Sequence, residues 1–372
     1  MSISIPAAVL AGCTTALLLQ PAAVAVDGSS SPTATLRTSV GGGSVTSLAF
    51  DAGGALAPRE TRPFELLGVV WDGAPDALAQ GSVRIRTRDS TTGRWSDWRP
   101  LEADAADAPD TVPHGATAPL WAGRSDGVAV DVRPGPAGLP RGLRVELVDP
   151  GQGAATADRR TLPERPAGPT DTAGRPEIVT RAGWGADESI REAGFGYTGP
   201  VRAVFVHHTA SATDYACSDA PRIIRAIYQY HVQSNGWRDI GYNFLVDRCG
   251  TVYEGRAGGV DQPVLGAHTL GFNSNSAGVA AIGTYTSDVP PQALQDGLAK
   301  IAAWKLGLTG QMAGGTTRLT SSSDGSRYPK GTVVDFDTIS GHRDGFATEC
   351  PGGALYARLP AIRSAALILQ DG

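Results

Sequence analysis

Cysteine is scarce in this 372-residue chain, with 4 in all. That excludes a small scaffold held together by a dense disulfide framework. A basic excess is also missing: the formal net charge is −5 and the sequence pI about 5.7. A nucleic-acid partner would call for a basic face, so we expect none. No internal repeat is visible, which argues against a solenoid or propeller. Apolar residues make up 41% and charged ones 19%, enough to bury real cores and too few charges for general disorder. The abundant residues are turn formers, Gly 48 and Pro 26. The length suits two domains.

The first residues lack Lys and Arg, and no charge occurs before Asp27. Ile5 to Leu19 are largely apolar, and Ala23-Val24-Ala25 offers small residues where a signal peptidase cuts. The run is too short, and too broken by Pro6 and Pro21, to span a membrane. We expect an export signal over 1–25, cleaved after Ala25, and a secreted or wall-associated protein. Leu10-Ala11-Gly12-Cys13 also resembles a lipoprotein box, the less favoured alternative. With Cys13 removed, three cysteines remain. Pairing Cys217 with Cys249 would close a loop worth about 3–4 kcal/mol in the chain-entropy model. Cys350 is then left over, and zinc ligation is one reason for such a thiol to be kept. A buried inert thiol is the other.

Residues 26–45 are rich in Ser, Thr and Gly and read as a flexible leader. From 46 to 150, FELLGVVW, SVRIRTR, GVAVDV and LRVELV read as short strands of a β-rich, sandwich-like accessory domain. Trp95 and Trp98 lie close together there; core and cross-strand packing is favoured over a sugar-stacking platform, because Trp is mostly buried. Residues 151–175 read as a linker. From 176 to 372 strands alternate with helices, predicting an α/β domain with a mixed β-sheet flanked by helices. VRAVFVHH (201–208) is a buried strand. Residues 218–235 form an amphipathic helix that Ser218 could cap, 242–256 a hairpin turning near Arg248–Gly250, 276–285 a strand, and 290–308 a second helix.

The chemistry concentrates in GHRDGFATECPG (341–352), which holds His342 and Cys350, and in VFVHHT, which holds His207 and His208. Imidazole and thiolate are preferred zinc ligands, and three of them with an open fourth position make a catalytic site. Their wide separation excludes a zinc-finger module, whose ligands come in local pairs. His207 and His208 face opposite sides of a strand, so only one can be a ligand, and periodicity does not choose between them. His268, in GAHT, reads equally as a groove residue or a structural histidine. Asn273, in GFNSNS, could bind a peptide or sugar, or simply serve a turn. His231 reads as a core residue, and Arg343 and Asp344 as residues that fix the loop.

VFVHHTAS, NGWRDIGYNFLVDRCGTVYEGR, GAHTLGFNSNSAGVAAIGTY and ISGHRDGFATECPG occur in that order, preceded by RAGWGA. Together they resemble the peptidoglycan recognition proteins and the related zinc-dependent N-acetylmuramoyl-L-alanine amidases, over about 176–365. The β-rich first half resembles, more loosely, the accessory region of actinobacterial exported members. The resemblance implies a Zn2+ cofactor held by His207, His342 and Cys350, with Tyr242 beside the water that the metal activates. Active members carry Lys or Thr two positions before the cysteine, here Thr348. Members that only bind peptidoglycan typically lack the cysteine. The expectation is a monomeric amidase that cuts between N-acetylmuramic acid and L-alanine in peptidoglycan through zinc-activated water, with catalytic Tyr242 and Thr348 and with His268 and Asn273 toward substrate. The alternative is a recognition module without turnover.

Overall fold

The computed structural model describes Met1 and residues 34–371, apart from 39, 74, 79–80, 102, 105–113, 154–159 and 169–170. The expected export signal and the lipoprotein box lie outside the described residues. Among those described, no helix is long and apolar enough to cross a membrane.

The first half is built on strands β1 (Ala34–Thr38), β2 (Ser44–Ala49), β3 (Ala55–Asp72), β4 (Ser82–Asp89), β5 (Arg99–Leu101), β6 (Ala103–Asp104), β7 (His114–Thr117), β8 (Leu120–Arg133) and β9 (Arg144–Asp149). They form one antiparallel sheet in the order β1-β2-β9-β3-β8-β4-β5, with β7 joining β3 to β6. The expected leader over 26–45 is corrected in its described part. Residues Ala34–Thr38 pair with Ser44–Leu48 as a sheet edge. Register shifts at Leu56/Arg59 and between Glu60 and Leu66 mark bulges that bend the 18-residue strand β3.

Strand β3 also explains its own sequence. FELLGVVW does not alternate because both of its faces are covered. Leu67, Val69 and Trp71 join the core of the first half with Val83, Ile85 and Val128. Leu66 and Val70 face the other way, into a cluster shared with Ile223, Ile224 and Tyr230 of the second half. A strand buried on both faces reads as a continuous apolar run. The core packing expected of the two tryptophans is corrected: Trp95 is half-buried and Trp98 is 40% exposed, and both lie against arginines. The guanidinium of Arg86 lies 5.1 Å from the ring centroids of both Trp95 and Trp98, and that of Arg84 lies 5.6 Å from Trp98.

The second half holds β10 (Thr161–Leu162), β11 (Ile178–Val179), α1 (Arg181–Trp184), β12 (Ala203–His208), α2 (Ala220–Gln229), β13 (Phe244–Val246), β14 (Val252–Glu254), β15 (Ser276–Ala281), α3 (Gln292–Gly307), β16 (Thr316–Thr320), β17 (Val333–Asp337), β18 (Ile339–Gly341), α4 (His342–Gly345), α5 (Gly353–Tyr356) and α6 (Leu359–Asp371). The main sheet is mixed, in the order β10-β11-β14-β13-β15-β12-β18, and β16–β17 is a separate ribbon. The supposed linker is therefore partly structural: Thr161–Leu162 pairs with Ile178–Val179 at the edge of this sheet. Helices α3 and α6 cover one face through Leu298, Ile301, Trp304 and Ile362, packed on Val204, Val206 and Val279.

Helix α2 lies against the other face, between the two sheets. Nearly all of its residues are buried, including Arg225, whose guanidinium donates to the carbonyls of Pro150, Gly151 and Trp184. Ser218 does not cap it. A 3-10 turn at Cys217–Asp219 leads in, Pro221 occupies the first turn, and no side chain caps the start. The helix ends in a π-helical turn at Tyr230–Ser234. That turn drives Tyr230 onto Gly68 of β3, where a Cβ would sit 2.2 Å from the tyrosine hydroxyl. The hydroxyl donates to the carbonyl of Thr117 at 3.0 Å. Both sheets lie within one compact unit, Pro32–Gly372.

Candidate metal centre

Strand β12 is central, paired in parallel with β15 and β18. Its even-numbered Val204 and Val206 point to α3, while Ala203 and Phe205 pack with Phe272 and Phe336 on the opposite side. His207 follows the second set and His208 the first, as strand geometry requires. Parallel pairing brings Gly341, the end of β18, opposite Val206. The chain then turns directly into α4, which begins with His342. The rings of His207 and His342 stand 4.4 Å apart between centroids.

Cys350 arrives on the loop between α4 and α5. This loop is fixed by its own residues. Asp344 accepts the Gly341 amide at 2.8 Å and the Tyr356 hydroxyl at 2.6 Å, and Arg343 lies 4.9 Å over the Tyr356 ring. Thr348 Oγ1 accepts the Cys350 amide at 3.1 Å. Gly352 has a φ of 90°, and a Cβ there would come within 2.3 Å of the Tyr285 backbone, so a side chain would push the loop away.

The result is a cluster in which the ligand atoms of His207, His342 and Cys350 all lie within 4.8 Å of one another, each residue being buried. His207 Nδ1 is 3.8 Å from Cys350 Sγ. The sulfur also accepts the His208 amide at 3.3 Å. Burial, and after it the neighbouring imidazoles of His342, His268 and His208, hold His207 well below its ordinary pKa. A neutral imidazole is the form that ligates a metal. Two imidazoles and a thiol converging in a buried site suit zinc by donor type.

Tyr242 stands at the rim, half-buried, with its ring centroid 5.4 Å from that of His207. It precedes Asn243, which locks the segment to the sheet by accepting the Gly278 amide at 2.8 Å and donating to the Val264 carbonyl at 2.9 Å. Behind it His231 is buried with its ring tilted against Trp237, centroids 4.4 Å apart, and its Nδ1 accepts the Gly241 amide at 3.2 Å. His231 is thus a core residue that holds the backbone beside Tyr242.

Two expectations need correction. His268 is 0% exposed and cannot line a groove. Its Nδ1 lies 3.3 Å from His207 Nε2 and 3.0 Å from Thr269 Oγ1, and its Nε2 lies 3.4 Å from Ser276 Oγ. It braces His207 from behind and leaves Nδ1 of His207 facing the cluster. Asn273 is also turned inward: its Oδ1 accepts the amides of His268 and Thr269 at 2.7 and 2.9 Å, which fixes the loop under that histidine. The bracing role of His268 was missed because it needs the separation of 207 from 268 closed in space; no local spacing announces it. Cys217 and Cys249 form a disulfide, tying the entry of α2 to the 248–250 turn.

Comparison with known proteins gives the same two halves. Residues 197–353 match the N-acetylmuramoyl-L-alanine amidase family, and residues 21–167 match a family described as Rv3811 N-terminal galactose-binding domain-like. Over 178 residues the chain is 32% identical to peptidoglycan-recognition protein SC2 of Drosophila simulans, covering 47% of this chain and 80% of that protein. This chain belongs to the peptidoglycan recognition protein and type 2 amidase family. Another member, peptidoglycan recognition protein 1 of Bos indicus, is 34% identical over 185 residues, covering 48% of this chain and 80% of that one. The human N-acetylmuramoyl-L-alanine amidase is 34% identical over 193 residues, but the chain spans only 28% of its length. Among solved structures of the family, Drosophila PGRP-LB is 27% identical, with a TM-score of 0.39, over 50% of this chain and 92% of that one. In this family member the amidase-type α/β domain follows a galactose-binding-like β domain.

Proposed function

We propose that this protein is an exported, zinc-dependent N-acetylmuramoyl-L-alanine amidase that hydrolyses the amide between the lactyl group of N-acetylmuramic acid and L-alanine in peptidoglycan. The observation that carries the reading is the convergence of His207, His342 and Cys350 within 4.8 Å. A zinc ion held by these three would polarise the scissile carbonyl and supply a nucleophile from water near neutral pH. His268 keeps the His207 ring in the orientation that presents Nδ1, the part that a partner behind a metal ligand plays. Tyr242, whose ring centroid lies 5.4 Å from that of His207, would donate its hydroxyl to the oxygen that gains charge as the carbonyl is attacked. Removing one such donor typically costs about 3–4 kcal/mol of barrier. Thr348 holds the Cys350 amide and thereby the thiol's loop. We assign no side chain as general base.

The test is release of stem peptide from purified cell wall by zinc-loaded protein. Turnover that persists unchanged in Cys350→Ala, or after chelation, would sink the proposal. A second reading, recognition without cutting, is favoured by relatives that bear recognition names. It predicts retained affinity for muramyl peptides with no turnover in metal-loaded protein.

A further inference from the structure

We propose that the first domain forms one bank of the substrate groove and binds the glycan chain beyond the muramyl unit whose amide is cut. The inference rests on the function proposed above. A cleft of about 790 Å³ lies between the two halves of the molecule. One bank is the sheet edge of the first domain, Ser82 at the start of β4 and Pro100 on the edge strand β5. The other bank is Arg327 with the segment Ala347, Thr348 and Glu349, which leads straight into Cys350. The cleft thus begins at the loop that presents the thiol.

Its two banks are held in register. Tyr230 is seated on Gly68 and bonded to the Thr117 carbonyl, Arg222 pairs with Glu65, and Leu66, Val70 and Val148 share a buried cluster with α2. A wall anchored in this way can select a ligand without first having to be ordered.

The lining chemistry points to sugar. Ser82 and Thr348 bring hydroxyls, and Pro100 brings an exposed apolar ring. Two charged groups border the cleft: Glu349 faces Arg343 at 3.3 Å, and Arg327 donates to the Arg343 carbonyl at 2.6 Å while keeping its charge. Hydroxyls beside an apolar face match a neutral pyranose chain, with its polar edges and CH faces.

The test uses the full, zinc-loaded chain and two substrates with the same stem peptide. One is a single disaccharide muramyl peptide, the other an uncrosslinked strand several disaccharides long. Ser82→Trp places an indole in the cleft from an exposed position away from the metal ligands. We expect kcat/KM on the long strand to fall about five-fold or more, mainly through KM, with the short substrate unchanged within about two-fold. Retained turnover of the short substrate shows that the variant is folded. Pro100→Trp, on the edge strand, should give the same split. Equal losses on both substrates, or none on either, overturn the proposal. Absence of turnover of both substrates by the wild-type protein would overturn the amidase reading instead. The cleft is then judged by affinity: tighter binding of the long strand, lost in Ser82→Trp, supports it, and equal affinity for both lengths refutes it.

Discussion

Tyr230 is the residue whose removal tests most directly how the two halves are joined. Its side chain is 0% exposed, and it fills the space left by the missing Cβ of Gly68. Truncating a buried aromatic ring to alanine costs about 3–5 kcal/mol through the cavity left behind. The Thr117 carbonyl also loses its donor at 3.0 Å, adding about 1 kcal/mol or more. Tyr230→Ala should therefore destabilise by about 4–6 kcal/mol, a large part of the 5–15 kcal/mol that holds a typical domain. Tyr230→Phe, which keeps the ring, should cost only about 1 kcal/mol. Gly68→Ala alone forces a methyl group into the tyrosine and should cost about 1–3 kcal/mol. In the double variant that methyl enters space the ring has vacated, so the combined loss should be smaller than the sum. Urea unfolding at neutral pH, followed by tryptophan fluorescence, measures all four. A loss below about 1 kcal/mol for Tyr230→Ala, or strict additivity in the double variant, would refute the claim that this contact is a shared core.

Three further outcomes follow from the site. Tyr242→Phe should lower kcat on a muramyl peptide by about 10²–10³ with little change in KM, and an unchanged kcat would remove the hydroxyl from the chemistry. His268→Ala should weaken zinc binding about 10–100-fold in a chelator competition, since His207 loses the group behind its Nε2; unaltered affinity would mean that the brace is idle. His231 is pushed down from 6.5 to about 3, by burial first and then by Arg256. A depressed pKa means the unfolded chain takes up the proton first. Its contribution is complete above pH 6.5 and is lost as pH falls toward 3, with a slope of at most about 1.4 kcal/mol per pH unit. His231→Gln retains an acceptor for the Gly241 amide without titrating, so the acid slope of stability in the metal-free protein should flatten; an identical slope would contradict the assignment.

Local features of the sequence announced themselves. The apolar run before His207, the hairpin around Arg248–Gly250 and the helix entered through Pro290-Pro291 all follow from short-range periodicity and turn chemistry, and each lies within a few residues of its expected place. His207, His342 and Cys350 were legible because their residue types restrict the chemistry, while the choice of His207 over His208 came from resemblance. Tertiary structure decided what spacing cannot carry. It turned His268 and Asn273 inward, because the loop that bears them folds under β12 and not over the groove. It made part of the apparent linker a sheet edge through pairing across 161–179. It also gave the unbroken apolar run of β3 its reason. A strand's sequence shows that both of its faces are buried, but only the fold shows that the second face is covered by α2 of the other half.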